Sequence, residues 1–404
     1  MCLSANGQKR TFGLEISLIS VILTILLLLP TIHGVLISSF SVYSSGQVQY
    51  ISPLHTEGRY IKNSSNRTII LRGVNQEGFL DHPNGWWNPE GGGYSSGLGV
   101  WNPETVKYNL NAMKSWGLNV LRIHTNIQWW KYDDSSYRQH IKDTITWAGE
   151  IGMYVIFEPY AVTGADHREV PWPPYIPESQ WDIVPDEQAF VTYWASVATE
   201  LKDYSNVLFE IYNEPHGNTT VRDVFFDITQ QCIDAIRAVG ADNIIIVQWG
   251  YGIYVNLSFP GDYGSMNWVE QYPLIDPQDN IVYSFHNYRG DFHRTDPTRV
   301  NVWEYDDIKA ALQYCLVEYV LNNLSKPVLV GEIGANMWFT GDALIEELAY
   351  FNNSLTIYDE WNMSYLAWVW TIPAHMRYGL LQNDAAWLPP PNKAGEILIA
   401  KGKP

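Results

Sequence analysis

The chain has 404 residues, enough for one large domain or two ordinary ones. Its formal net charge of −18 disfavours nucleic acid and anionic membranes as partners and suits a protein acting on a neutral polymer. Aromatic residues make up 14%, including 18 Trp and 26 Tyr, which serve a large core and also suit the apolar faces of sugar rings. The three cysteines, Cys2, Cys232 and Cys315, form no CxxC pattern, and with no HExxH present either, neither a metal site nor a cofactor is indicated. Cys232 and Cys315 fall in helix-like stretches, and the sequence does not decide whether they meet.

At the N-terminus, Lys9 and Arg10 precede an apolar run, Ile16–Leu29, that Pro30 ends. The run is shorter than the roughly 20 residues of a membrane span and reads as a secretory signal, residues 1–37, with an uncleaved anchor as the alternative. Residues 38–56 read as a Ser/Tyr-rich linker, and 57–404 as one catalytic domain. Seven N-x-S/T sequons, at Asn63, Asn66, Asn218, Asn256, Asn323, Asn352 and Asn362, agree with export and are acceptors only in a glycosylating compartment. The expected location is extracellular, with membrane attachment only if the first segment is retained.

From Thr68 onward, strand-like runs alternate with amphipathic stretches. The strands are expected at Thr68–Gly73, Asn119–Ile123, Tyr154–Phe157, Asn206–Tyr212, Asn243–Val247, Ile281–Ser284, Pro327–Val330 and Tyr365–Val369. Helices are expected at Glu104–Ser115, Tyr137–Ile151, Glu187–Tyr204, Asp223–Val239, Asp306–Leu321 and Asp342–Asn352. Nearly continuous apolar strands separated by helices imply a parallel sheet covered by helices, and eight repeats imply an α/β fold closed as a (β/α)8 TIM barrel. A doubly wound open sheet is the alternative, but no GxGxxG follows the first strand.

A barrel of this kind places functional groups at the C-terminal ends of its strands. Two carboxylates qualify. Glu214, in Phe-Glu-Ile-Tyr-Asn-Glu-Pro, precedes Pro215, which ends the strand and pushes its neighbour towards extended backbone, so Glu214 is expected at the strand tip. Glu332 follows Val328–Val330, between Gly331 and Gly334, where missing side chains leave room for a ligand. Two carboxyl groups facing one sugar bond are what glycoside hydrolysis needs. Arg122 lies inside an apolar run and is costly to bury unpaired, so it should meet a carboxylate. Trp86, with Trp87, sits in a long Gly/Pro-rich loop and reads either as a sugar platform or as a packed loop anchor. His124, Trp129 and Trp130 are candidates for the cleft wall. Trp368 and Trp370 should share one side of the last strand by alternation.

Asn213-Glu214-Pro215 with Glu332 on a later strand resembles the family 5 glycoside hydrolases, clan A retaining β-glycanases of the cellulase type, over roughly Thr68 to Leu381. The resemblance implies roles residue by residue. Glu214 would be the acid/base and Glu332 the nucleophile. Arg122 would stand beside Glu332 and hold it ionised. Asn213 would hydrogen-bond the sugar 2-hydroxyl, His286 would touch the acid/base, Tyr288 would hydrogen-bond the nucleophile, and Trp368 would be the sugar platform. The chain departs from the pattern at Tyr160, where many members carry His; Tyr160 can still hydrogen-bond a sugar but cannot carry positive charge. The implied function is a secreted, retaining endo-β-1,4-glucanase, a monomer whose partner is a β-linked polysaccharide. A β-mannanase or another β-glucanase on the same scaffold is the enzymatic alternative, and a non-catalytic glycan-binding barrel is the remaining one.

Overall fold

The computed structural model describes residues 51–76, 102–132, 136–160, 187–215, 219–250, 265–289, 304–371, 377–382 and 390–402. A short antiparallel hairpin, β1 (Leu54–Glu57) and β2 (Tyr60–Asn63), comes first. The barrel strands are β3 (Arg72–Gln76), β4 (Val120–Asn126), β5 (Tyr154–Tyr160), β6 (Val207–Glu210), β7 (Ile245–Gln248), β8 (Ile281–Tyr288), β9 (Val328–Gly334) and β10 (Ser364–Ala367). They pair in parallel in chain order, and β10 closes onto β3. The expected (β/α)8 barrel is therefore the observed fold.

The main helices between the strands are α1 (Pro103–Ser115), α2 (Ile127–Tyr132), α3 (Tyr137–Glu150), α4 (Glu187–Leu201), α5 (Thr219–Ala238), α6 (Trp268–Gln271), α7 (Tyr305–Tyr314), α8 (Val317–Asn322) and α9 (Gly341–Glu360), with α10 (Lys393–Gly402) at the end. Helix α1 starts where its sequence dictates. Pro103 occupies the first turn, and Asn102 Oδ1 accepts from the backbone N–H groups of Glu104 and Thr105. The helix expected over Asp306–Leu321 is two helices, because Leu316 adopts a left-handed φ of +62° between α7 and α8. Cys232 and Cys315 are both buried, and they form no disulfide with each other. Among the described residues, no helix is long and apolar enough to cross a membrane.

Alternation along each strand sorts the core into two layers. Leu121, Ile123, Val155, Phe157, Phe209, Val330 and Ile333 point outward into the layer shared with the helices. Val120, Ile156, Leu208, Ile246, Val282, Leu329 and Leu366 fill the lower barrel interior. The hairpin adds Leu54 and Ile61 to that inner cluster, and Thr56 N–H donates to Asn280 Oδ1 at 2.9 Å, which ties β1 to the barrel. The hairpin thus begins inside the stretch expected as linker, because its apolar face plugs the lower end of the barrel.

Candidate active site

Above the apolar layer, the barrel interior turns polar. On β4, alternation places Arg122 and His124 on the same side as Val120; on β5 it places Glu158 above Ile156, and on β6 Glu210 above Leu208. All four polar side chains are buried. A buried charge survives only when partnered, and Arg122 is the hub. Its Nε and Nη2 donate to the two oxygens of Glu210 at 2.7 and 3.0 Å. Nη1 donates to Glu332 Oε1 at 3.0 Å and to Asn75 Oδ1 at 2.9 Å, and Nη2 donates to Asn213 Oδ1 at 2.9 Å. Burial opposes the charge on Arg122, but Glu210, Glu158 and Glu332 outweigh it and raise its pKa above the ordinary value.

Glu332 does not reach the interior by simple alternation. With Leu329 facing in, a regular strand would turn Glu332 outward. The register between β8 and β9 shifts here: Phe285 pairs with Val330 and His286 with Glu332, so Gly331 is an extra residue in β9. The bulge returns Glu332 to the inside. A Cβ at residue 331 would come within 2.9 Å of His286 Nε2 and 3.0 Å of Ser284 Oγ, so glycine is also required by space. Glu332 Oε2 accepts from Tyr288 Oη at 2.7 Å, so both of its oxygens are held.

Glu214 lies beyond the last paired residue of β6, not at the strand tip, and its φ is +48° where extended backbone was expected before Pro215. Hydrogen bonds to the neighbouring strand end accompany this conformation: Glu214 N–H donates to Gln248 Oε1 at 3.3 Å, and Gly250 N–H to the carbonyl of Pro215 at 2.7 Å. The Glu214 side chain is 25% exposed, while His286 Nδ1 stands 2.7 Å from its Oε1. Burial among the strand ends pushes the Glu214 carboxyl up to about 8; Arg122 opposes the rise, and Glu158 and Glu210 add to it. Burial and the Arg122 charge push His286 down to about 4, against the pull of Glu332, so its ring is neutral at neutral pH.

Glu214, His286 and Glu332 each present one atom within 4.8 Å of the others, a spacing that a metal ion could bridge. Their bonding does not fit a cation. Glu332 already accepts from Arg122 and Tyr288, His286 Nδ1 is engaged with Glu214, and the Arg122 guanidinium stands at the same carboxylate.

The structure brings together Arg122, Asn213, Glu214, His286, Tyr288 and Glu332. Trp368 joins them at the rim: its ring lies 5.0 Å from that of His124, edge-on. Trp370 does not share its side. It is fully buried, donates through Nε1 to Asn109 Oδ1 on α1 and packs on Trp116, beyond the last strand residue, Ala367. Trp130 is likewise core, packed on Phe157. Tyr160 is the last residue of β5, opposite Asn126, and its side chain is outside the described set. Trp86 also lies outside the described residues.

Sequence reasoning missed Glu210, Glu158 and Asn75. A signal was present: Glu210 and Glu158 sit in apolar runs as Arg122 does, and buried opposite charges facing one barrel interior must find each other.

A family model described as "Cellulase (glycosyl hydrolase family 5)" matches residues 81–373. The chain is 25% identical over 303 residues to endoglucanase A of Butyrivibrio fibrisolvens, covering 72% of this chain and 58% of that protein. It is 25% identical over 297 residues to an endoglucanase of Clostridium saccharobutylicum, covering 70% and 52%. The chain thus spans little more than half the length of these relatives. Among solved structures, a hyperthermophilic endocellulase from Pyrococcus horikoshii superposes with a TM-score of 0.62 at 21% identity, covering 88% of this chain and all of that one. With the family model spanning most of the barrel, this chain belongs to the cellulase family, glycosyl hydrolase family 5.

Proposed function

We propose that the protein is a retaining endo-β-1,4-glucanase that cleaves internal bonds of a β-linked glucan by double displacement. The observation that carries this reading is the pairing of Glu214 and Glu332 across one hydrogen-bonded cleft, with an oxygen of each within 4.8 Å. Retaining glycosidases hold their carboxyl groups about 5–5.5 Å apart, whereas inverting enzymes leave about 6.5–9.5 Å for a water. Glu214 donates its proton to the leaving oxygen; burial supports its holding that proton at neutral pH. Glu332 attacks the anomeric carbon, oriented by Arg122 and Tyr288. The glycosyl-enzyme is then hydrolysed by water, with Glu214 as the base. In this reading Asn213 hydrogen-bonds the sugar 2-hydroxyl, and Trp368, Trp86 and Tyr160 make sugar contacts.

The glucan assignment draws on relatives named as endoglucanases, and the protein's own substrate is tested directly. Reducing ends should be released from carboxymethyl-cellulose faster than from galactomannan. The reverse order would favour a mannanase, and binding without release would favour a non-catalytic barrel. Export forms part of the proposal. Lys9, Arg10 and the apolar run Ile16–Leu29 support a signal, and the exposed sequons Asn66, Asn323, Asn352 and Asn362 would then be glycan acceptors.

A further inference from the structure

Strand β8 carries part of the site on one face and a polar anchor on the other. His286 and Tyr288 face the barrel interior, where they meet Glu214 and Glu332. Alternation turns the residue between them, Asn287, outward, onto the side of Tyr283 and Phe285. That side belongs to the apolar layer shared with the helices, yet Asn287 is fully buried in it. A buried amide needs partners, and helix α9 supplies both. Tyr350 Oη donates to Asn287 Oδ1 at 2.6 Å, and Asn287 Nδ2 donates to Tyr358 Oη. The two tyrosines are themselves fully buried.

The same helix holds the strand ends at two further points. Arg289, on the other side of Tyr288, donates through Nη1 to Glu347 Oε1 at 3.1 Å and through Nη2 to Glu346. Glu347 Oε2 accepts from the N–H of Asn336 at 2.9 Å, four residues beyond Glu332. Helix α9 is thus tied to β8 and to the exit of β9, the two strands that carry Tyr288 and Glu332. A leucine at residue 287 would fill the apolar layer without partners. Hydrogen bonds are directional where apolar packing is not, so an amide bonded on both sides fixes where β8 lies against α9. That matters because a productive site must be held to within about 0.5 Å.

We propose that Asn287 is a positioning residue: clamped between Tyr350 and Tyr358 of α9, it sets the place of β8 against that helix, and so holds Tyr288 on Glu332 and His286 on Glu214. The proposal rests on the function inferred above for its catalytic consequence only.

The test separates position from stability. Tyr350→Phe with Tyr358→Phe keeps both rings and leaves the Asn287 amide without partners, so Tm should fall. Adding Asn287→Leu to that pair replaces the whole network by apolar groups of similar shape, which restores stability. The triple variant should therefore melt within about 4 °C of wild type. It should nevertheless lose about fivefold or more in kcat on soluble β-glucan. Its crystal structure should show Tyr288 Oη beyond about 3.5 Å from Glu332 Oε2, against 2.7 Å here. A smaller loss of kcat, or an unmoved Tyr288, overturns the proposal and leaves the network a stabilising one only. If the triple variant does not fold, Tyr350→Phe takes its place: measured well below its Tm, it should lose about threefold or more in kcat, and a smaller loss overturns the proposal. An inactive wild type would sink the glucanase reading, and the Tyr288–Glu332 separation, read without turnover, would still decide the clamp.

Discussion

Glu214 is kept protonated by its surroundings, and in the proposed mechanism that proton is the one delivered to the leaving oxygen. With its pKa pushed up to about 8, Glu214 should lose its proton, and kcat/KM should fall, as pH rises through about 8. Measurement of kcat/KM from pH 5 to 10 checks this; an alkaline limb that survives in Glu214→Gln would belong to another group. The same shift has a stability sign. Folded Glu214 and Glu158, both at about 8, retain protons that the unfolded chain releases near the ordinary value of 4.5. Their contribution to stability is therefore full below about 4.5 and declines as pH rises to about 8. The two glutamates also predict different rescue. Glu332→Ala should abolish turnover on all substrates. Glu214→Ala should still form the intermediate from an activated aryl glycoside, and azide should then speed release as a β-glycosyl azide. Azide rescue of Glu332→Ala with a β product would reverse the roles, and losses below about tenfold, roughly 1.4 kcal/mol, in both variants would remove the pair from catalysis. Residues were legible where the sequence marked a strand end, as at Glu214 and Glu332. They were not legible at Glu210 and Asn75, which bond to Arg122 across strands whose partners are remote in sequence.

At the scale of elements, all eight strands were readable from apolar runs, because strands buried on both faces carry a continuous signal. Boundaries were less so. The first barrel strand was expected at Thr68–Gly73 and is Arg72–Gln76, since Asn75 and Gln76 look like loop residues until Arg122 and the barrel interior are present to receive them. The bulge at Gly331 was invisible for a related reason: register is a property of two strands, and no single run encodes it. That bulge makes a prediction. In Gly331→Ala the new Cβ would meet His286 Nε2 and Ser284 Oγ, so His286 should be displaced from Glu214. Overpacking of this kind costs about 1–3 kcal/mol, and activity should fall further than stability alone explains. Calorimetry beside kcat on one preparation checks it; unchanged kcat with a lowered Tm would mean that His286 tolerates the shift.

For the whole molecule, the hairpin decides where the catalytic unit begins. Composition marked residues 38–56 as linker because Ser and Tyr dominate there and no run is long enough to read as a strand. Leu54 and Ile61 nevertheless join Val120, Tyr154, Ile156 and Leu208 in the lower barrel interior. Fully burying two such side chains contributes about 3–6 kcal/mol, a large part of the net stability of a typical domain. Tyr154 Oη also donates to the carbonyl of Ser52, and Ser205 Oγ to that of Ile51, so the backbone just ahead of β1 is tied down as well. Any processing of the N-terminal segment must therefore stop upstream of Ile51. The proposed signal places the mature start between Thr31 and Ser45, which leaves every one of these contacts in place. N-terminal sequencing of exported protein should find a first residue in that window, whereas an intact Met1 on membrane-bound material would favour the anchor. Two truncations separate the linker from the plug. A chain starting at Tyr50 should keep the Tm of the longer form, and a chain starting at Asn66 should lose about 3–6 kcal/mol, or about 4–8 °C, as the lower barrel opens. Equal Tm values for the two truncations would show that the hairpin covers the barrel without stabilising it.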